Sequence, residues 1–202
     1  GDQGRVSEIS KHFDSVEFKI QNREFVTHTG FIGSKKLTVL STGIGTDNID
    51  IVLNELDALV NIDFKKRTIN SKKKSLNLIR IGTSGALQKN ILPDSFVVSS
   101  HGLGFDGLLN YYSNLEKIGE EKISEHFIKH TRWNSLLPYP YIVKGSAKLI
   151  SKVGKGFFEG ITATAPGFYC PQGRELRLKP LIPDLNELLT SFRYHDLKIT
   201  NF

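Results

Sequence analysis

The sequence has very few sulfur-containing residues and no long apolar segment. Its 202 residues include one cysteine, one tryptophan and no methionine. A lone cysteine, Cys170, cannot form a disulfide within the chain, which fits a reducing compartment, so we expect a cytoplasmic protein. No run of about 18 apolar residues is present, which argues against a membrane span, and no basic segment followed by an apolar one resembles a secretory signal.

The composition is that of an ordinary globular protein, with 39% hydrophobic and 24% charged residues. No internal repeat, linker or low-complexity tract divides the sequence, so we predict a single domain over residues 1–202. Because the chain opens on a loop of the kind that follows a strand, we expect it to be a piece of a longer protein, cut at both ends.

The formal net charge of +6 suits either a nucleic-acid partner or an anionic substrate that is steered by electrostatics. The densest basic run, Lys65-Lys66-Arg67 and Lys72-Lys73-Lys74, lies in a polar stretch between an apolar helix and an apolar strand. We interpret this run as a solvated loop. We therefore expect neither a nucleic-acid partner nor a membrane partner.

Alternation of strand and helix patterns predicts an α/β fold. Apolar and polar residues alternate as in strands, or recur at helical spacing, along most of the chain. Strands are predicted at 16–20, 23–29, 36–41, 76–81, 94–100, 157–164 and 197–202, and helices at 5–13, 49–60, 115–130, 146–153 and 185–192.

Four loops that follow predicted strands could line one crevice, because ligands in open α/β sheets bind at the carboxyl ends of the strands. They are 1–5, 42–45, 82–85 and 165–174. The first is a glycine-rich loop that opens a helix, a common anion site, and Arg5 adds a planar bidentate donor. A plain turn with a surface arginine is the alternative.

Arg80 lies within an otherwise apolar run, Leu78 to Ile81, where a charge is costly unless it is paired. A bound dianion would be a natural partner, and Thr83 offers a hydroxyl at the same strand end. An internal salt bridge to Asp2 or Glu24 is the alternative.

Phe168, Gln172 and Arg174 share one loop near the end of the chain. An aromatic ring can stack on a heterocycle, a glutamine offers a donor and an acceptor, and an arginine offers donors only. This set matches the edge of a uracil. The alternative is a surface loop with one aromatic residue turned inward.

A metal site is not predicted. His126 and His130 have helical spacing, but they lack the glutamate of a zinc-binding helix and a third ligand. No nucleophile-elbow motif supports Ser-His-Asp catalysis, and Cys170 is interpreted as an incidental thiol.

Five motifs together resemble the nucleoside phosphorylases, and most closely the uridine phosphorylases. In chain order they are Gly1-Asp2-x-x-Arg5, Arg23-Glu24-Phe25, Ser41-Thr42-Gly43-Ile44-Gly45, Ile79-Arg80-Ile81-Gly82-Thr83-Ser84-Gly85-Ala86-Leu87-Gln88, and Gly160-Ile161-Thr162-Ala163 through Phe168-Tyr169 to Gln172-x-Arg174. Each is short, but their order and approximate spacing agree over nearly the whole chain. The fold implied is a three-layer α/β/α sandwich with a central mixed β-sheet.

The resemblance also implies roles for individual residues. Gly1, Arg5, Arg80 and Thr83 would bind phosphate, and Arg23 would reach the phosphate of a neighbouring subunit, so the active unit would be at least a dimer. Hexamers are usual in the family, but the sequence leaves the exact oligomeric state open. Phe168 would pack on a pyrimidine base, and Gln172 and Arg174 would read its carbonyl and N–H groups. Arg80, Gln172 and Arg174 would be the catalytic residues. Phosphate would be a co-substrate, and no cofactor is expected.

The chain departs from the family pattern at three places. Gln3 stands in place of a proline, Cys170-Pro171 replaces Pro-Gly, and Thr46-Asp47-Asn48 replaces Gly-Pro-Ser. The last change puts in doubt a potassium site to which Glu24 would contribute. The family's ribose-binding glutamate motif would begin after Phe202, and its 5′-hydroxyl histidine would precede Gly1.

The expected activity is phosphorolysis of pyrimidine nucleosides, as part of nucleotide salvage. Three alternatives stay open: a purine nucleoside phosphorylase, a nucleosidase that uses water, and a non-catalytic nucleoside or nucleic-acid binding protein.

Overall fold

A computed structural model describes residues 1–202. The chain divides into two compact units, Gly1–Leu76 and Asn77–Phe202, which are described in turn. The prediction of a single domain stays a prediction.

The first unit is built on a three-stranded antiparallel sheet in the order β1-β2-β3. Helix α1 packs against β2 and β3. Its elements are α1 (Gly4–Ser10), β1 (Ser15–Asn22), β2 (Phe25–Ile32), β3 (Lys35–Leu40), α2 (Thr46–Asn61), β4 (Ile62–Asp63) and β5 (Thr68–Ile69).

The predicted strands and helices of this unit are confirmed to within a few residues. Their signals are local, because an alternating or helical apolar pattern lies within each segment. The β4–β5 hairpin is the exception, since the sequence predicts only a solvated loop there. The basic side chains in and after this hairpin, from Lys65 to Lys74, are exposed, as expected of a solvated loop.

The second unit contains a mixed five-stranded sheet in the order β7-β6-β8-β10-β9. Strands β6, β8 and β10 are parallel, and β7 and β9 are antiparallel edge strands. Its elements are β6 (Val97–Gly104), α3 (Leu115–Ile118), α4 (Glu121–Thr131), β7 (Tyr141–Lys144), α5 (Ala147–Val153), β8 (Phe158–Thr164), α6 (Leu185–Ser191), β9 (Arg193–Tyr194) and β10 (Leu197–Asn201), with single 3-10 turns at Leu108–Tyr111 and Cys170–Gln172.

The core of this unit lies between the sheet and its helices. The fully buried apolar side chains come from strands β6, β7, β8 and β10, from one face of α4 and α6, and from the residue after α6. They include Leu103, Phe127, Ile142, Ile161, Leu189, Phe192 and Ile199. The α/β class with a mixed sheet, predicted from the sequence, is confirmed.

Two predictions for this unit are wrong. The single helix predicted over 115–130 is broken at Gly119, whose added Cβ would lie 2.8 Å from the Leu115 carbonyl oxygen. The buried strand predicted over 76–81 is an exposed segment without strand pairing. None of the helices has the length and apolar character that a membrane span requires.

Candidate active site

The glycine-rich loop at Gly1 lies beside a second loop of the first unit. A Cβ added to Gly1 would lie 3.5 Å from the Gly43 carbonyl oxygen, so the 1–5 and 42–45 loops meet. The Asp2 carboxylate accepts a hydrogen bond of 2.9 Å from the Gly4 N–H, at the first residue of α1. Arg5 therefore lies in the first turn of a helix that begins at this loop.

Arg23 lies at the tip of the hairpin between β1 and β2. It is exposed and has φ of 53°, the left-handed conformation that closes a tight turn. The buried hydroxyl of Ser41 holds this turn, since it donates to the Glu24 carbonyl oxygen over 2.6 Å and accepts from the Val26 N–H over 2.8 Å. The turn thus presents Arg23 outward from a fixed backbone.

Glu24 is already engaged by an amide of its own chain. Asn48 Nδ2 donates to Glu24 Oε1 over 3.2 Å and to the Ile44 carbonyl oxygen over 3.1 Å. Gly43 lies against both side chains, and its φ of 66° suits glycine. Asn48, one of the residues that depart from the family pattern, therefore bonds directly to the Glu24 carboxylate.

Arg80, in the second unit, is exposed rather than buried in a strand. The surrounding Leu78, Ile79 and Ile81 are also exposed, because no neighbouring segment pairs with this stretch in the structure. The Arg80 guanidinium folds back over the loop, where a Cβ added to Gly82 would lie 3.4 Å from Nη1. Arg80 makes no ion pair within residues 77–202.

Hydrogen bonds to the end of β10 anchor the loop that carries Thr83. The Gly85 and Phe202 backbones exchange hydrogen bonds of 3.2 and 2.9 Å. The Asn201 amide donates to Ser84 Oγ over 2.9 Å and accepts from the Thr162 hydroxyl over 2.9 Å. This network fixes the 82–85 loop against the carboxyl ends of two parallel strands.

Phe168, Gln172 and Arg174 form one cluster in the second unit. The Arg174 guanidinium lies 4.1 Å from the centroid of the Phe168 ring and donates to the Phe168 carbonyl oxygen over 2.9 Å. It also donates to Gln172 Oε1. That oxygen has a second lone pair, so Gln172 still offers an acceptor as well as the N–H groups of its amide.

The cluster adjoins the anchored glycine loop. A Cβ added to Gly85 would lie 3.8 Å from Arg174 Nη2, so two segments that are about ninety residues apart meet here. Within this unit the structure therefore brings together Phe168, Gln172, Arg174 and the loop of Thr83. The arrangement offers an aromatic face, several N–H donors and a loop backbone.

Sequence reasoning missed two features of this region. One is the Asn201 network, which joins residues more than a hundred positions apart in the sequence. The other is an apolar cavity of about 140 Å³ beside the 165–174 loop, lined by Phe105, Trp133, Leu137, Pro138, Pro166, Cys170, Pro171, Leu181, Ile182 and Leu185. Neither has a local sequence signal.

His126 and His130 take part in packing. Their rings lie 5.7 and 5.6 Å from the Phe192 ring, and His130 Nε2 is 2.9 Å from the Leu188 carbonyl oxygen.

Comparison with known proteins agrees with the motifs. The chain is 33% identical to uridine phosphorylase of Treponema pallidum over 116 residues, which are 57% of this chain and 40% of that protein. It is 30% identical to guanosine phosphorylase of Halorubrum lacusprofundi, again over 116 residues, which are 57% of this chain and 42% of that protein. The chain thus spans about two fifths of the length of these relatives.

A solved structure resembles the whole chain. It is that of Trypanosoma brucei nucleoside phosphorylase, described as showing uridine phosphorylase activity. The TM-score is 0.89 at 27% identity, with 100% of this chain and 74% of that chain covered. The family model of the phosphorylase superfamily matches residues 1–190. The resemblance inferred from the five motifs is confirmed, and the chain belongs to the phosphorylase superfamily.

Proposed function

We propose that this chain belongs to an enzyme that cleaves pyrimidine nucleosides with phosphate, converting uridine and phosphate to uracil and ribose 1-phosphate. The observation that carries the proposal is the cluster of Phe168, Gln172 and Arg174 beside Gly85. It combines a ring for stacking with the donors of a planar guanidinium and of an amide, on the loop whose motif the family uses for the base.

The base would leave with the electron pair of the C1′–N bond. Negative charge then develops on the uracil ring and its carbonyl oxygens, while the sugar becomes cationic. Arg174 donors and the Gln172 amide would stabilise that charge, as aimed donors do in other transition states. The stack on Phe168 and the bond to Gln172 support this role because they hold the guanidinium before a substrate arrives.

A phosphate oxygen would form the new bond to C1′ as the C1′–N bond breaks. We assign phosphate binding to Gly1 and Arg5 in the first unit and to Arg80 and Thr83 in the second. Arg23 would contribute to the phosphate of a neighbouring subunit, which requires at least a dimer. These residues would accelerate the reaction by positioning the anion, so no covalent nucleophile and no cofactor is required.

A pyrimidine is favoured over a purine because Gln172 and Arg174 together suit two carbonyl groups flanking an N–H. The similarity to a guanosine phosphorylase means that the matched 116 residues do not by themselves separate the two classes. A nucleosidase is disfavoured because hydrolysis gives no role to Arg5 and Arg80. A role in nucleotide salvage follows if the activity is that proposed, and we propose the cytoplasm as its compartment.

The test is product analysis with the whole protein. We expect uracil and ribose 1-phosphate from uridine only when phosphate is present, and little product from inosine. Arg80→Ala should nearly abolish turnover, whereas Arg67→Ala, which removes an exposed arginine of the β4–β5 hairpin, should not. Cleavage at equal rates without phosphate would point to a nucleosidase, and faster cleavage of inosine would point to a purine enzyme.

A non-catalytic protein would release no base under any condition. If it bound nucleic acid instead, binding would weaken steeply with salt.

A further inference from the structure

A buried hydrogen bond fastens helix α1 to the sheet of the first unit. Ser10, the last residue of α1, and His28, in the middle of β2, are exposed by only 5% and 6%. Ser10 Oγ and His28 Nδ1 are 2.7 Å apart. The two residues lie 18 positions apart in the sequence, so this is a tertiary contact between separate elements.

This bond is a large part of what holds α1. The helix has seven residues, and its buried residues are Val6 and Ser10. So short a helix has little stability of its own and depends on its packing. Val6 and the Ser10–His28 hydrogen bond, together with the half-buried Ile9, therefore set the position of α1 on β2.

The position of α1 in turn sets the position of the glycine loop. The helix begins at Gly4, and Arg5 lies in its first turn. The Asp2 side chain is bonded to the Gly4 N–H, and Gly1 lies against Gly43. A tilt of α1 would move this loop and the Arg5 side chain together.

The setting of His28 favours the uncharged form of its imidazole. Burial lowers its pKa below the usual value, and Lys19, its pairing partner on β1, lowers the pKa further. An uncharged ring can pair with the Ser10 hydroxyl without a buried charge, which would be costly at this position.

We propose that Ser10 and His28 are positioning residues that set the affinity for phosphate, by holding α1 and hence Gly1 and Arg5. This proposal rests on the proposed phosphorolytic function. Neither residue is assigned a contact with substrate. The effect should therefore fall on phosphate and spare the nucleoside and the chemical step.

The experiment compares steady-state constants of the whole protein and its variants. Ser10→Ala should raise the phosphate KM by about fivefold, the effect expected of one lost hydrogen bond. The uridine KM and kcat should stay within about twofold of the wild-type values. Phosphate should also protect this variant less against thermal unfolding, a readout that needs no turnover.

A matched control separates positioning from general loss of stability. Thr29, next to His28 on β2, is also buried and shares a hydrogen bond of 2.8 Å with Thr38. Thr29→Val removes that partly buried bond and leaves the Ser10–His28 bond in place, so it should lower the melting temperature and leave the phosphate KM unchanged. His28→Asn, whose amide can replace Nδ1, should restore most of the phosphate affinity that His28→Leu loses.

The possible outcomes are distinct. Phosphate-independent cleavage by the wild-type protein, or no cleavage, would refute the proposed function. A wild-type protein that needs phosphate, together with a Ser10→Ala variant of unchanged phosphate KM, would refute only the positioning role. An equal rise in Thr29→Val would also refute it. If Ser10→Ala does not fold, the comparison of His28→Asn with His28→Leu decides, because equal phosphate KM values would contradict the proposal.

Discussion

Replacement of Arg174 by alanine separates its proposed effect on catalysis from its effect on loop order. In the structure the guanidinium stacks at 4.1 Å on the Phe168 ring and donates to the Phe168 carbonyl oxygen and to Gln172 Oε1. Stacking at an exposed ring contributes about 0.5–1 kcal/mol, and a typical hydrogen bond about 1 kcal/mol. Together with the two hydrogen bonds these terms amount to about 2.5–3 kcal/mol, so by ordering the loop they should raise the uridine KM by at most about a hundredfold.

The larger effect should fall on kcat. If Arg174 stabilises charge on the departing base, its loss removes an aimed donor, which typically costs about 3–4 kcal/mol, or about a hundred- to a thousandfold in kcat. Because Phe168 and its loop are largely exposed, thermal stability should change little. Uracil release followed by chromatography gives both constants.

Two comparisons make this prediction refutable. Arg177→Ala removes an exposed arginine three residues after Arg174 and should leave kcat nearly unchanged. With 5-fluorouridine, whose base carries negative charge more readily, the loss caused by Arg174→Ala should shrink. A kcat that stays within about threefold of wild type, an equal loss in Arg177→Ala, or the same loss for both nucleosides would contradict the role of Arg174.

Three further predictions concern the second base-reading residue, the loop at Gly43 and pH. Gln172→Ala should weaken the preference for uridine over inosine and leave the melting temperature nearly unchanged, as measured by competing the two substrates. Gly43→Ala should destabilise the protein by about 1–3 kcal/mol in urea unfolding, because its φ is 66° and the new Cβ would lie 2.6 Å from Asn48 Nδ2. Burial lowers the pKa values of His28 and His101 from the usual 6.5. As the pH falls below 6.5, the unfolded chain therefore binds protons at these histidines more readily than the folded protein does. The free energy of unfolding should be highest above pH 6.5 and should decrease as the pH is lowered. This decrease should be steeper in the wild-type protein than in His101→Gln.

Elements with local signals could be predicted from the sequence. Helix α2 and strands β1 to β3 carry their apolar periodicity and turn residues within a few positions, and all were found at the predicted places. The same holds for the grouping of Gln172 with Arg174, since their spacing puts both on one short turn.

Features that depend on distant partners could not be predicted. The apolar run 76–81 has the composition of a buried strand, but a strand also needs a neighbour to bond with, and the sequence does not identify one. The contact of Ser10 with His28, and that of Ser84 with Asn201, depend on how separate elements pack. Serine at a helix end and histidine within a strand have no spacing rule that would pair them.

The origin of the oxygen that becomes bonded to C1′ tests the central claim most directly. Uridine is incubated with the whole protein and with phosphate in which all four oxygens are oxygen-18. The mass of the sugar product is then measured by mass spectrometry. Transfer of the sugar to phosphate predicts ribose 1-phosphate that retains the full label. Free ribose whose new oxygen comes from unlabelled water would contradict the account.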